Sequence, residues 1–564
     1  MVPAAALSVW PSMTTRGSWH HQHQVWCLSA ALETPEGGEQ PSHRSANYQP
    51  NSWDYNALLS LKSPNGHRLV ELSPRYDKLK DSIKDMMHKK AEPDSKLKII
   101  DTMQRLGISY HFEEEINGVL NSISMENANH RHMDDISFAA LKFRLLRENG
   151  FPATQETLGF HNYEGTCIKM RLKKDVDGLL SLYEASCLGY EGEEILDAAR
   201  TFSTIALKEL MPSMMPQLRK RLALDLELPL HWRAPRLETR WSVDHNVSNI
   251  SMCPLLLQFA KINFNMVQDV HKQDLATVTR WWRHTALADK LTFARDRLME
   301  CFYYATGIVW EPNTGACREM LAKVSCLILH LDDVYDAYGT MDELVLFTDA
   351  IGRWDANPDE VLPEYMRALY SVIYNTSNEV ADHALKEHGC SMHYHLQKVW
   401  HDISVTFLVE AKWQYGNQRP SLQEYLENGW ISSSGPVLLL HAFPMLNSVV
   451  NLKTIAEIKN CPRLAELQRG DAPSSIAIHM AENGANENDS RKAMQDIILK
   501  SWKIINKEAF DIRQFSRPFT KACVNLARIS HCIYHGGDGF GAPSDMKKKQ
   551  IKDLFLESID EKID

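Results

Sequence analysis

From about residue 54 to the C-terminus, apolar side chains recur at the three- and four-residue spacing of one face of an α-helix. Ile99, Met103 and Leu106 fall at i, i+4 and i+7, and Gly107 follows as a stop. Phe138, Leu141 and Leu145 repeat the pattern, closed by Gly150. No stretch alternates with the period of two that a half-buried strand requires. The pattern therefore predicts an all-α protein. Similar blocks, separated by short Pro, Gly or Asn clusters, run to the end without the fixed period of a helical solenoid. A Ser/Asn-rich stretch from Asn246 to Cys253 separates two helical regions, and 564 residues exceed what one core usually organises.

The most apolar run, Gly435 to Val450, is broken by His441, Pro444 and Asn447, so it reads as a buried helix. A membrane span needs roughly 18 apolar residues in succession, and none is predicted. Lys and Arg total 62 against 72 Asp and Glu, a formal charge of −10, which is not the basic footprint of a nucleic-acid binder. Eleven cysteines occur without a CxxC pair, which argues against zinc and disulfides and for a reducing compartment. Residues 1–32 lack Asp and Glu, carry Arg16 as their one basic Arg or Lys, and include several Ser and Thr. Such a leader fits an organellar transit peptide. His20, His21 and His23 read as polar leader residues and not as a metal cluster.

Chemistry concentrates at residues 327–336, where an apolar helix runs into Asp332, Asp333 and Asp336. On a helix i and i+4 share a face, so Asp332 and Asp336 can converge, at a repulsive cost that a cation removes. Hard carboxylate oxygens suit Mg²⁺, which takes one or two carboxylates together with phosphates and water. Thirty-five residues upstream of the first Asp lies Arg297, with Arg295 two before it. Two arginines at i and i+2 point to nearly opposite sides of a regular helix. To act together on a diphosphate they need a loop or a helix terminus.

Arg295-Asp296-Arg297, the Asp332-Asp333-Val-Tyr-Asp336 string and the following Ala-Tyr-Gly-Thr-Met-Asp-Glu-Leu resemble the catalytic domain of plant class I terpene synthases. The resemblance runs from about His43 to the C-terminus. It includes Ser45 to Trp53, Leu180 to Ser186, Leu228 to Arg233 and Arg469-Gly-Asp471. Its flavour is that of the angiosperm monoterpene and isoprene synthase branch. The resemblance implies a leader over 1–42, a vestigial N-terminal α-barrel over 43–250 and a catalytic α-bundle over 251–564. It further implies ionisation of an allylic diphosphate, geranyl diphosphate first and dimethylallyl or farnesyl diphosphate as alternatives. Mg²⁺ is the implied cofactor, with Mn²⁺ as a substitute. A monomer or weak dimer in the plastid stroma follows, or in the cytosol if the leader does not direct import.

Residue by residue, the resemblance assigns Arg295 and Arg297 to the diphosphate and Asp332, Asp333, Asp336 and Glu466 to metal. Arg44 and Trp53 fall to a shielding N-terminal segment, and Tyr534 and Asp538 to a closing loop. Trp281, Trp282, Tyr303, Tyr304 and Trp430 are candidate aromatic walls, Tyr304 preferred because relatives often carry Trp there. Ser432-Ser-Ser-Gly-Pro436 resembles a broken helix lining the pocket. Protonation-initiated chemistry is not supported, since the nearest string to the acidic DxDD pattern is Asp175-Val-Asp-Gly178.

Two departures stand out. His43 occupies the first position of the family's paired arginines, which weakens the expected Arg contact and puts clean cyclisation, not ionisation, in question. The second metal motif, Asn/Asp then Ser/Thr then Glu at four-residue steps, has Ile458 and Pro462 before Glu466. Neither side chain binds Mg²⁺, and Pro462 interrupts a helix. About twenty residues of the usual pattern are missing near 464–465, on the order of 30 Å of helix. Alternative splicing, a gene-model error and degeneration of a gene copy all yield such a chain, and each makes an inactive isoform the competing reading.

Overall fold

The computed structural model describes all residues except 1–42, 45, 62–65, 90–91, 126–135, 159–171, 173–174, 247–252, 358–360, 448, 452, 456–474, 512–514 and 562–564. The expected leader, the expected interdomain stretch, Glu466 and the place of the missing helix therefore lie outside the described residues.

Among the described residues every regular element is helical. Local chemistry sets many helix ends. Asp54, Asp175, Ser516 and Ser544 accept backbone N–H bonds as N-caps. Thr340 with Glu343, and Ser421 with Glu424, form reciprocal capping boxes. Gly107 and Gly150 have φ of +66° and +79°, the left-handed geometry expected of a stop, just past helices that end at Arg105 and Glu148. Within the first of these helices the buried stripe is Leu97, Ile100 and Met103, with Ile99 at its edge. The apolar run after Gly435 is a buried helix, Gly435–Leu446, as its composition predicts. No helix among the described residues is long and apolar enough to cross a membrane.

The largest core is continuous across the chain. It joins side chains from Leu58 to Leu146 with those of the C-terminal half. A smaller core around Phe143, Leu179, Leu182, Tyr183 and Leu207 is built by the helices Ile136–Glu148, Val176–Ser186 and Glu194–Leu210. In the C-terminal half the helix Gly315–Asp333 is central. It packs against Leu298–Ile308, Pro254–Thr285, Glu364–His388 and Gly435–Leu446, and delivers the acidic motif at its C-terminal end.

Buried histidines set the response to acid. His330, His441, His231 and His531 are at most 8% exposed. Burial lowers His231 and His531 to about 3 and His330 and His441 to about 4. The unfolded chain protonates these rings near 6.5. As pH falls below that value the unfolded state gains protons the native state refuses, so stability is lost. Between pH 7.5 and 5.5 the four together are expected to cost on the order of 5 kcal/mol. Urea denaturation at the two pH values measures this, with lower stability at pH 5.5.

Candidate active site

Arg295 sits in a short non-helical run just before the helix Leu298–Ile308, the terminus its spacing requires. Its backbone N–H donates to Asp333 Oδ2 at 2.6 Å and its Nε to Asp333 Oδ1 at 2.8 Å. Nη2 donates to Asp332 Oδ2 at 2.6 Å. One guanidinium thus spans two carboxylates, and the three groups carry a net negative charge. Asp333 is fully buried, and burial pushes its carboxyl up to about 6 although Arg295 opposes the shift. The Arg295 guanidinium lies 4.8 Å from the centre of the Tyr48 ring, and burial together with the Asp333 carboxylate raises the Tyr48 pKa.

The neighbouring residues of the same string face elsewhere. Asp296 accepts from Tyr55 Oη at 2.5 Å, Trp282 Nε1 at 3.0 Å and Asn51 Nδ2 at 3.3 Å. Arg297 donates to carbonyls of Gln49 (2.7 Å), Phe540 (2.8 Å) and Gly541 (3.3 Å). It fastens the N-terminal segment and the 538–541 loop to one side chain. Arg297 does not line the cavity described next; it lines a separate one with Gln49, Asn51 and Glu300. The two side chains part because Arg295 is drawn to the Asp332–Asp333 pair and Arg297 to the carbonyls of Gln49, Phe540 and Gly541.

The N-terminal segment lies across the motif. Arg44 Nη2 donates to the Asp336 carbonyl at 3.3 Å, and its guanidinium covers the Tyr415 ring at 4.3 Å. Trp53 Nε1 donates to Glu300 Oε1 at 2.9 Å. His43 stacks on Tyr338 at 4.3 Å, and Tyr338 stacks in turn on Phe293 at 3.7 Å. The flat imidazole makes this ring stack and its Nδ1 lies 3.2 Å from the Tyr338 carbonyl, so the segment is seated with histidine at this position.

A cavity of about 100 Å³ opens beside these groups. Arg295, Asp332 and Asp336 form its polar rim, and Tyr304, Phe407, Phe540, Ile328, Leu329 and Leu438 contribute apolar surface. Asp333 is absent from the lining. One residue beyond Asp332 is a rotation of about 100°, which turns it into the core, where it positions Arg295. The helix widens to a π-turn over Val334–Tyr338, so the shared face expected of a regular helix is modified, yet Asp332 and Asp336 still meet the same cavity.

Ser432, Ser433 and Ser434 line the opposite side. The helix Leu422–Ser432 ends there and Gly435–Leu446 begins, with Ser434 at φ +68°, where the resemblance implies a helix break. Tyr534 and Asp538 also reach the cavity, at a turn that needs positive φ at Gly536 and Gly537. Of the five candidate aromatic walls only Tyr304 contributes. Trp282 is spent on Asp296, Tyr303 is buried, and Trp281 and Trp430 are not among the lining residues. Phe407 and Phe540 were not anticipated. Ser325, Ile328 and Leu329 were readable, because they precede Asp332 by seven, four and three positions on one helical stripe.

Residues 52–226 match the family description "Terpene synthase, N-terminal domain", and residues 283–504 match "Terpene synthase family, metal binding domain". The (−)-alpha-terpineol synthase of Vitis vinifera is 42% identical over 92% of this chain and 91% of its own. This chain belongs to the terpene synthase family. A limonene synthase of Coffea arabica, described as chloroplastic, is 40% identical over 94% of the chain and 91% of its own. The crystal structure of isoprene synthase from grey poplar, in complex with three Mg²⁺ ions and dimethylallyl-S-thiolodiphosphate, superposes with a TM-score of 0.82. It is 37% identical and covers 90% of this chain and 99% of that one.

The family's metal-binding domain calls for a divalent cation, and the donor set fits one. Asp332 keeps 22% of its side chain exposed, and Asp336 lies on the same rim. Two hard oxygen donors at a cavity mouth leave a cation room for phosphate and water. Among the described residues no three His, Cys, Asp or Glu side chains form a closed cage.

Asp296 is the joint on which the N-terminal segment turns. Asp296→Ala leaves the donors of Tyr55 and Trp282 without their acceptor, at an expected cost of about 3 kcal/mol. Urea denaturation should register that loss. Hydrogen exchange should show faster exchange at residues 46–59, with Asp296→Asn restoring part of the protection.

Proposed function

We propose that the chain ionises geranyl diphosphate with Mg²⁺ and releases diphosphate and a monoterpene in the plastid stroma. The observation that carries the reading is the Arg295, Asp332 and Asp336 rim over an aromatic-walled cavity. The limonene and terpineol synthases at 40–42% identity support the ten-carbon substrate, and the chloroplastic relative supports the compartment.

Mg²⁺ held by Asp332 and Asp336 supplies positive charge to the departing diphosphate. Arg295 offers Nη2 at the same rim, where a diphosphate oxygen can accept in place of Asp332. Small-molecule sites usually occupy roughly 300–1,000 Å³. A cavity of about 100 Å³ must therefore widen on binding, and release of Asp332 from Arg295 is the natural opening. At the apolar end, the rings of Tyr304, Phe407 and Phe540 are placed to stabilise an allylic cation. The Tyr304 hydroxyl is paired with Ser530 Oγ at 2.8 Å, and burial raises its pKa. A phenolate that would trap the cation is thereby disfavoured. Arg297 draws the N-terminal segment and the 538–541 loop together, which keeps bulk water from the intermediate.

A second reading rests on the sequence at Ile458, Pro462 and Glu466, where one of three expected ligands remains. On that reading turnover is strongly reduced, and loss of a helix exposes apolar faces that favour aggregation.

Gas chromatography of volatiles from purified chain given C5, C10 and C15 diphosphates with Mg²⁺ separates the readings. The proposed function expects C10-derived products and inorganic diphosphate, with Asp332→Asn lowering kcat/KM by about 100-fold or more. No product from the chain as written, but product after the missing helix is restored, would establish the impaired isoform. No product from either would sink the assignment.

The rim also sets metal dependence. Chelation by EDTA should abolish diphosphate release, and Asp336→Asn should raise the Mg²⁺ concentration needed for half-maximal rate by at least about tenfold. A metal titration of both proteins checks this.

A further inference from the structure

The largest cavity among those described lies away from the acidic motif, between the N-terminal helices and the last long helices. Its volume is about 350 Å³. One wall is the helix Arg517–Tyr534, which presents Arg517, Lys521, Val524 and Arg528 at i, i+4, i+7 and i+11, a single stripe. Phe510, Phe515 and Tyr190 add apolar surface.

Arg528 is the unusual member. Its Nε donates to the His231 carbonyl at 2.8 Å, Nη1 to Asn525 Oδ1 at 3.0 Å and Nη2 contacts His231 Nδ1 at 3.1 Å. Every one of those partners is neutral. His231 Nε2 faces Asn506 Oδ1 at 2.7 Å, so Nδ1 is the bare nitrogen that accepts from Arg528. No carboxylate among the described residues lies within ion-pair distance of the guanidinium, and two of its five N–H donors have no partner there. The adjacent acid, Glu148, is held by Arg144 at 3.2 Å. Burial lowers the Arg528 pKa, although the Glu148 carboxylate nearby opposes the shift. A half-buried charge left in this state is costly, and an anion placed beside it removes much of the cost.

Towards the mouth, Lys521 pairs with Glu113 at 3.2 Å, whereas Arg517 is exposed and has no ion pair among the described residues. Arg528 within and Arg517 at the opening lie about 16 Å apart along the helix. Glu148 lines the same cavity and shares Arg144 with Asp101 and Glu184, so a small anion within meets Arg528 alone, and Arg517 acts on it only from the mouth. The first turn of the same helix adds partial positive charge at Arg517.

We propose that this cavity binds a phosphate monoester with a compact apolar body, its phosphate on Arg528 and its apolar part against Phe510, Phe515 and Val524. A monoester brings three strong acceptor oxygens, and the two unpartnered N–H groups of Arg528 can donate to them. A volume of about 350 Å³ at a junction between helical layers is what a small-molecule site usually offers.

Titration calorimetry of the full chain with phenyl phosphate, in EDTA to silence the acidic rim, tests the proposal. One saturable site per chain and a rise in Tm are expected. Arg528→Gln should weaken binding tenfold or more, and the exposed Arg517→Glu, which carries little folding risk, should weaken it by a smaller factor, about two- to threefold. Arg295→Gln should leave the affinity unchanged, and benzyl alcohol should show no saturable heat. Absence of binding at 10 mM ligand, roughly the limit of a useful Kd, would overturn the proposal. So would affinity unaltered in both cavity variants, or lost in Arg295→Gln. Equal affinity for inorganic phosphate would overturn the role given to the apolar walls.

Discussion

The site depends on one guanidinium held against two adjacent carboxylates. Asp332 and Asp333 arrive together at the end of an apolar helix, and Asp333 is fully buried. A buried carboxylate next to a second one cannot remain ionised without a cation close by. Arg295 supplies it through Nε, Nη2 and its own backbone N–H. That backbone contact pins the chain at residue 295, in the non-helical run just before the helix Leu298–Ile308. Asp296 then meets Asn51 and Tyr55, and Arg297 meets Gln49, Phe540 and Gly541. Charge balance at the rim and closure over it are thus set by three consecutive residues.

That coupling shapes how the rim can be used. Removing one partner of a buried ion pair typically costs about 3–5 kcal/mol, whereas replacing the pair with something equally satisfied can be close to neutral. Arg295 therefore cannot leave Asp332 for empty solvent-poor space, but it can leave when another cation takes the carboxylate and an anion takes the guanidinium. Asp333 has no such freedom, since both its oxygens are committed to Arg295. The division of labour within the acidic pair follows from burial: Asp332 at the surface of the cavity can exchange partners, and Asp333 holds the arginine in place.

Much of this was legible in the sequence, and what was hidden shares one physical cause. Helical periodicity exposed the all-α class, the stops at Gly107 and Gly150 and the buried run after Gly435, while the break at Ser432 to Pro436 came from the family resemblance. The requirement that Arg295 and Arg297 lie off a regular helix was also readable from their spacing. Their separate fates were not. Arg297 finds its partners at Gln49 and Phe540, more than 240 residues away in either direction, and no local rule reaches that far. Asp296 carries no local signal of its role, yet it accepts from Asn51 and Tyr55 of the N-terminal segment and from Trp282 of the helix Pro254–Thr285. Among the aromatic candidates, ring type alone could not separate Trp282, whose indole N–H serves Asp296, from Tyr304, which lines the cavity.

Departures from regular backbone gather at the same place. The π-turn at Val334–Tyr338, the left-handed Ser434 and the positive φ of Gly536 and Gly537 all border the cavity or the turn that closes it. Each sits where a regular helix would have continued or a tight turn would have clashed. Such conformations persist only when surrounding packing over-determines them. The packing here is the continuous core that fixes Gly315–Asp333 and Gly435–Leu446 from several sides. An unbroken helix directs its backbone polar groups along its own axis and can offer a cavity nothing but side chains. Interrupting it frees N–H and C=O groups at the interruption. Two interrupted helices facing each other therefore give a largely apolar cavity a polar rim at one end, and the ring faces of Tyr304, Phe407 and Phe540 remain as the wall for whatever the rim holds.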